Sequence, residues 1–94
     1  MSGPVDRARV IFQGTVQGVG FRYTTLRVAK GFPSLTGGVR NLADGTVELI
    51  VEGARAEIEA LISAVSERMS GYIVHAHIEW GNIDRRSSAF TIRS

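Results

Sequence analysis

The spacing of apolar residues alternates along this chain between the two-residue period of a strand and the three-to-four-residue period of a helix. Branched and aromatic residues from Arg7 to Thr15 predict a strand. Positions at helical spacing from Phe21 to Ala29 predict a helix. Gly31 and Pro33 end this helix, because glycine suits a left-handed cap and proline cannot extend the hydrogen-bond ladder.

A hairpin is predicted at Asp44-Gly45, since this dipeptide is typical of tight turns between strands. A short strand over residues 37–41 precedes it, and alternating apolar residues over 47–51 follow it. These two strands are therefore predicted to be antiparallel neighbours.

The second half of the chain predicts one more helix and two more strands. One face of the helix carries an apolar stripe: Ile58, Leu61, Ile62, Val65 and Met69. After Gly71 an alternating strand follows, and its predicted buried face comprises Val74, Ala76, Ile78 and Trp80. A polar link over 82–88 leads to a last short strand, Phe90 to Arg93.

This order, βαββαβ with a short closing strand, predicts an α+β, ferredoxin-like sandwich with two helices on one face of a mostly antiparallel sheet. A chain of 94 residues is long enough to bury one core without disulfides. We therefore expect a single domain over residues 1–94, with 1–6 as a flexible tail. The fold alone assigns no function.

Composition excludes several classes of protein. Eleven Lys and Arg against nine Asp and Glu give a net charge of only +2, which is weak evidence for nucleic-acid binding. The chain has no cysteine, and no apolar run approaches the ~20 residues of a membrane span. The first residues lack the basic and apolar regions of a signal peptide. These features predict a cytoplasmic protein without a membrane segment.

The loop from Thr15 to Gly20 lies between the first strand and the first helix. Amides that point inward in such a loop, together with free amides at a helix start, form a site for a phosphate or another oxyanion. Arg22, in the first helical turn, could bind two phosphate oxygens with its guanidinium, although helix arginines are usually just solvated. The loop matches neither the Walker pattern nor GxGxxG with its later acidic residue, which disfavours nucleotide binding.

Two segments, residues 14–22 (GTVQGVGFR) and 38–48 (GVRNLADGTVE), resemble the signature segments of acylphosphatases. The resemblance extends over nearly the whole chain, including its length, its order of elements and the final Phe90-x-Ile92. It implies an enzyme that hydrolyses the carboxyl-phosphate bond of small acyl phosphates, and inorganic phosphate is then a product or inhibitor. We expect a monomer with no membrane or nucleic-acid partner.

The resemblance also assigns roles to residues. The phosphoryl group would lie in a cradle of backbone amides with the Arg22 guanidinium, and the cradle residues are Gln17, Gly18, Val19, Gly20 and Phe21. The side chain of Asn41, which local statistics alone would assign to a turn, would orient the attacking water. This mechanism uses no metal, no cofactor and no covalent enzyme intermediate.

The chain departs from the family pattern in two places. Gly38 stands where acylphosphatases usually have tryptophan, and the link over 30–35 is longer by one residue. Phe32 or Leu35 is a candidate to fill the space of the missing tryptophan.

Other constellations of polar residues have simpler explanations. His75 and His77 share a strand face, but no third metal ligand is evident. Asp44 is explained by the turn and Glu48 by a solvated strand face, rather than as an acid-base pair. We also expect Arg85-Arg86 to be solvated.

Two other functional classes stay open. One is a noncatalytic module that binds anionic ligands or RNA, although no strand interleaves aromatic with basic residues as RNA-binding strands do. The other is a regulatory small-ligand domain, which the fold permits but which leaves the glycine loop and Arg22 unexplained.

Overall fold

The computed structural model describes residues 5–82 and 90–92 of the chain. Its elements are β1 (Asp6–Gly14), α1 (Phe21–Ala29), β2 (Thr36–Asn41), β3 (Val47–Gly53), α2 (Arg55–Arg68), β4 (Ile73–Asn82) and β5 (Phe90–Ile92). The predicted order of elements is confirmed. Asp6, assigned to the tail from the sequence, is the first residue of β1, whereas residues 1–4 lie outside the described residues. Asn82, assigned to the polar link over 82–88, is the last residue of β4, whereas the rest of that link, with Arg85-Arg86, and the predicted strand end at Arg93 lie outside the described residues.

The strands form one sheet in the order β4-β1-β3-β2-β5. β1 pairs antiparallel with both β3 and β4, and β2 pairs antiparallel with β3. β5 extends the sheet by pairing parallel to β2. The predicted ferredoxin-like arrangement is thus confirmed. Neither helix of the described residues has the length and apolarity that crossing a membrane requires.

The core lies between the two helices and one face of the sheet. Alternate residues of β1 and β3 face it, and Val10 is paired with Leu49 and Phe12 with Val47. The predicted stripe of α2 is buried against this face: Ile58, Leu61, Ile62 and Val65, with Met69 just after the helix. The rings of Phe12 and Phe21, with centroids 5.0 Å apart, tie the first residue of α1 to the sheet.

The predicted buried face of β4 is wrong at Val74, which is 85% exposed, and at Ile78, which is 39% exposed on this edge strand of the sheet. Gln13 of β1 is paired with His75, and Gly14 with Ile73, so β4 contains one extra residue at this point, a β-bulge. The bulge turns Val74 outward and lets Ile73 pack against the core instead. Gly14 permits it, because a Cβ there would overlap the carbonyl oxygen of Tyr72.

The prediction of a solvated Glu48 is also wrong. Glu48 is on the sheet face away from the helices, yet it is only 5% exposed. Arg9 of β1 and Arg40 of β2 each donate a hydrogen bond from Nε to its carboxylate at 2.7 Å. Burial would raise the pKa of the Glu48 carboxyl, but the hydrogen bonds from Arg40 and Arg9 outweigh burial and lower it.

Gly38 belongs to the same outer face as Glu48. It is paired with Ile50, between Thr36 and Arg40, whose side chains reach glutamates on that face. Phe32 and Leu35 pack with the core on the helix side. The suggestion that they fill the space of the missing tryptophan is therefore wrong, because the sheet lies between them and Gly38.

Candidate active site

The predicted phosphate loop connects the end of β1 to the start of α1. Gly18 and Gly20 both have left-handed backbones, with φ of 77° and 78°. Other residues adopt this conformation at a cost of roughly 1–2 kcal/mol. An added Cβ would meet no atom within 4 Å at either position, so the backbone conformation, rather than crowding, favours glycine here.

Gly20 is the N-cap of α1 and has no side chain with which to cap the first amides of the helix. The first turn of α1 contains no acidic residue. Its backbone amides point along the helix axis toward the loop, and the positive end of the helix dipole lies there. This helix start is suited to an anion.

Next to this helix start is a cavity of about 210 Å³. Loop residues, the first turn of α1 and the end of β2 line it together: Val16, Gly18, Gly20, Phe21, Arg22, Tyr23 and Asn41. Val16 and Phe21 are buried and provide an apolar floor. The structure therefore brings together the two residues that the sequence singled out, Arg22 and Asn41.

Arg22 is only partly exposed and lies at the wall of this cavity. Within residues 5–82 and 90–92, no carboxylate pairs with its guanidinium. The described part of the chain thus leaves this charge unneutralised beside the helix start. A guanidinium in that place can form a bidentate pair with a phosphoryl group.

Asn41 is the last residue of β2 and is paired with Val47 of β3. Because Arg40 reaches the outer face, Asn41 points to the opposite side of the sheet, where the cavity lies. Its side chain carries one acceptor and two donors at the edge of the cavity.

The hairpin that follows Asn41 is closed as predicted. The Leu42 amide donates to the Thr46 carbonyl at 2.9 Å, and Gly45 at the turn has a positive φ. The Asp44 carboxylate accepts hydrogen bonds from the Thr46 hydroxyl and amide. These hydrogen bonds lower the pKa of Asp44, and they confirm that Asp44 is a turn residue.

The sequence analysis predicted no side-chain role for two residues at this site. Tyr23, which is 65% exposed, lines the cavity next to Arg22. Gln17 was predicted to contribute its backbone, but its side-chain amide also reaches the hairpin, where it donates to the carbonyls of Leu42 and Thr46. Sequence spacing contains no signal for either contact, since both depend on how the loop and hairpin meet.

Some predicted site residues lie outside the cavity wall. Gln17 and Val19 do not line it, and Val19 packs partly against the core. The roles of their backbone amides stay predictions. His75 and His77 are exposed on β4, and within the described residues no group of three or more His, Cys, Asp or Glu could hold a metal ion.

Fold and site together describe a small α+β domain in which an arginine and an asparagine line one cavity beside a helix start. A model of the acylphosphatase family matches residues 8–92, and the chain belongs to this family. An acylphosphatase from Methanospirillum hungatei is 40% identical over 91 residues, which cover 95% of this chain and 98% of the relative. One from Syntrophotalea carbinolica is 38% identical over 84 residues, covering 84% and 90%.

Solved structures agree with this assignment. The crystal structure of acylphosphatase from Bacillus subtilis superposes with a TM-score of 0.84 at 28% identity, covering 95% of this chain and 99% of that one. The family assignment favours the enzyme over the noncatalytic module and the regulatory domain considered from the sequence.

Proposed function

We propose that the acylphosphatase activity of this chain resides in the cavity between the glycine loop, the start of α1 and the end of β2. The observation that carries the proposal is that Arg22 and Asn41, distant in sequence, line one cavity with Gly18 and Gly20. The substrate is a small-molecule acyl phosphate, as membership of the family implies.

In this proposal the backbone amides of residues 17–21 and the Arg22 guanidinium hold the phosphoryl group. Amides at a helix start and in a loop of left-handed glycines favour an oxyanion. Arg22 adds a planar fork that matches two phosphoryl oxygens. Phosphoryl transfer depends mainly on positioning and on stabilising charge over the equatorial oxygens, which these groups supply.

Asn41 positions the water. Its amide does not titrate near neutral pH, so it orients the nucleophile rather than removing a proton. The water oxygen bonds to phosphorus, the bond from phosphorus to the acyl oxygen breaks, and the carboxylate leaves with the electron pair. The proton of the water passes to a phosphate oxygen, and no step needs a metal or a covalent enzyme intermediate.

The acyl portion of the substrate would extend toward Tyr23, whose ring lies at the rim of the cavity. Inorganic phosphate shares the oxygens of the phosphoryl group and is expected to compete for the cradle. We expect a monomer with one domain over residues 1–94, since a single chain supplies all residues of the proposed site. The cytoplasmic location stays a prediction.

The test is hydrolysis of benzoyl phosphate in the presence of EDTA, followed as loss of the acyl phosphate. Turnover by wild-type protein is expected, and Arg22→Ala and Asn41→Ala are expected to abolish it. Asn41→Ala should retain affinity for inorganic phosphate, whereas Arg22→Ala should lose it. The matched control is Arg27→Ala, which removes an exposed arginine from the last turn of the same helix. No turnover by folded wild-type protein would refute the proposal.

A further inference from the structure

The side chain of Gln17 connects the phosphate loop to the hairpin that begins at Asn41. Its Nε2 donates one hydrogen bond to the Leu42 carbonyl at 2.7 Å and another to the Thr46 carbonyl at 2.9 Å. Both donors of the amide are thus used. Both acceptors are backbone oxygens, so their positions are set by the backbone of the hairpin.

These two carbonyls are next to the strand pair formed by Asn41 of β2 and Val47 of β3. Leu42 follows Asn41 in the chain, and Thr46 directly precedes Val47, the residue with which Asn41 is paired. The Leu42 amide and the Thr46 carbonyl are themselves hydrogen-bonded and close the hairpin. Gln17 therefore attaches to the hairpin one step beyond the pair that fixes the backbone of Asn41.

The other contacts of the loop hold it to the core and not to the hairpin, since Val16 is buried and Val19 packs against the core. Gly18 and Gly20 have more conformational freedom than other residues, and the start of the loop is attached elsewhere, through the Thr15 amide to the Tyr72 carbonyl. Within the described part of the chain, no hydrogen bond other than those of Gln17 joins the loop to the hairpin.

We propose that Gln17 is a positioning residue that sets the distance between the phosphate cradle and the Asn41 side chain. The inference rests on the proposed function, in which the cradle holds phosphate and Asn41 orients water. A shift of about 1 Å between reacting groups can cost a hundredfold in rate. Loss of the attachment should therefore lower kcat while the cradle still binds phosphate.

The first variant is Gln17→Met, which keeps the length of the side chain and removes both donors. We expect kcat for benzoyl phosphate to fall by about tenfold to a hundredfold, and the inhibition constant of inorganic phosphate to change by less than about threefold. Gln13→Met makes the same replacement at an exposed glutamine of β1 outside the cavity wall, and should match wild type. Circular dichroism and the unfolding midpoint verify that each variant is folded at the assay temperature.

A second variant, Gln17→Glu, tests the hydrogen bonds themselves. An ionised carboxylate would face two carbonyl oxygens and repel them, whereas a protonated carboxyl can donate to one of them. The ratio of its kcat to that of wild type should therefore rise at least about fivefold from pH 7.5 to pH 5. The inhibition constant of inorganic phosphate is measured at both pH values as well. If this constant rises at pH 7.5 in step with the loss of kcat, the introduced charge acts by repelling the phosphoryl group, and the hydrogen bonds of Gln17 have no positioning role.

The outcomes separate the two proposals. Turnover by wild type together with undiminished kcat in folded Gln17→Met overturns the positioning role alone. Equal losses of kcat and phosphate affinity also overturn it, because the Gln17 side chain would then shape the cradle itself instead of placing Asn41. No turnover by wild type overturns the proposed function and this inference with it.

Discussion

Arg40 donates a hydrogen bond to Glu48 at 2.7 Å on the outer face of the sheet, directly before Asn41 in the chain. Arg9 binds the other oxygen of the same carboxylate, also at 2.7 Å. Both arginines are partly exposed, but the glutamate is buried between them. This cluster joins β1, β2 and β3 behind the candidate active site.

Glu48→Gln should lower the free energy of unfolding by about 1–3 kcal/mol near neutral pH, as expected for lost hydrogen bonds to a charged group. The folded-state pKa of Glu48 is lowered, so its contribution is complete above the ordinary glutamate range. It is lost as the pH falls through the lowered pKa. Urea denaturation of wild type and Glu48→Gln across this acidic range should show that the difference between their free energies of unfolding becomes smaller as the pH falls.

The matched control for this cluster is Glu79→Gln. Glu79 is exposed and its carboxylate lies 3.5 Å from Arg9, so its replacement should cost less than about 0.5 kcal/mol. A gap between wild type and Glu48→Gln that stayed constant with pH would contradict the assigned role of the carboxylate.

Gly20→Ala should destabilise the protein by about 1–2 kcal/mol and weaken phosphate binding, because its φ of 78° disfavours any residue with a Cβ. Gly71→Ala is the control: the position is also free of contacts within 4 Å, but its φ is not positive. Thermal unfolding and phosphate titration of both variants check the prediction. Equal effects at both positions would show that backbone conformation is not what the loop requires.

Local patterns predicted most of this fold because local chemistry determines it. The turn at Asp44-Gly45 forms through hydrogen bonds between near neighbours, and the stripe of α2 is visible as spacing alone. Arg22 and Asn41 could be singled out because each belongs to a segment that resembles a family signature.

The features that the sequence did not predict depend on contacts between distant segments. Alternation in β3 placed Glu48 on an outer face but could not show that arginines of two neighbouring strands cover it. Gln17 likewise reaches carbonyls 25 and 29 residues away. The bulge at Val74 arises from the pairing of β4 with Gly14, which no period within β4 encodes.

The bulge makes a prediction about two adjacent residues. Ile73→Ala should destabilise by about 1–3 kcal/mol, since Ile73 packs against the core, whereas Val74→Ala should change stability by less than about 0.5 kcal/mol. Strict alternation along β4 would instead bury Val74 and expose Ile73, so that Val74→Ala would cause the larger loss of stability. Denaturant unfolding of both variants therefore tests the register of the edge strand.

Tyr23→Ala should lower kcat/KM for aromatic acyl phosphates more than for small aliphatic ones. If the ring at the rim of the cavity contacts the acyl group, its loss should lower kcat/KM for benzoyl phosphate by about threefold to tenfold, the value of one aromatic contact. Acetyl phosphate, whose methyl group is too small to cover the ring, should be hydrolysed nearly as before. Tyr23→Phe retains the ring and should behave as wild type toward both substrates.

Tyr72→Ala controls for the loss of a tyrosine as such, because Tyr72 is also exposed but does not line the cavity. It should leave the preference between the two substrates unchanged. If Tyr23→Ala lowers kcat/KM equally for benzoyl and acetyl phosphate, the ring does not contact the acyl group. Tyr23 would then act on the phosphate cradle through its neighbour Arg22, and the acyl group would lie toward another wall of the cavity.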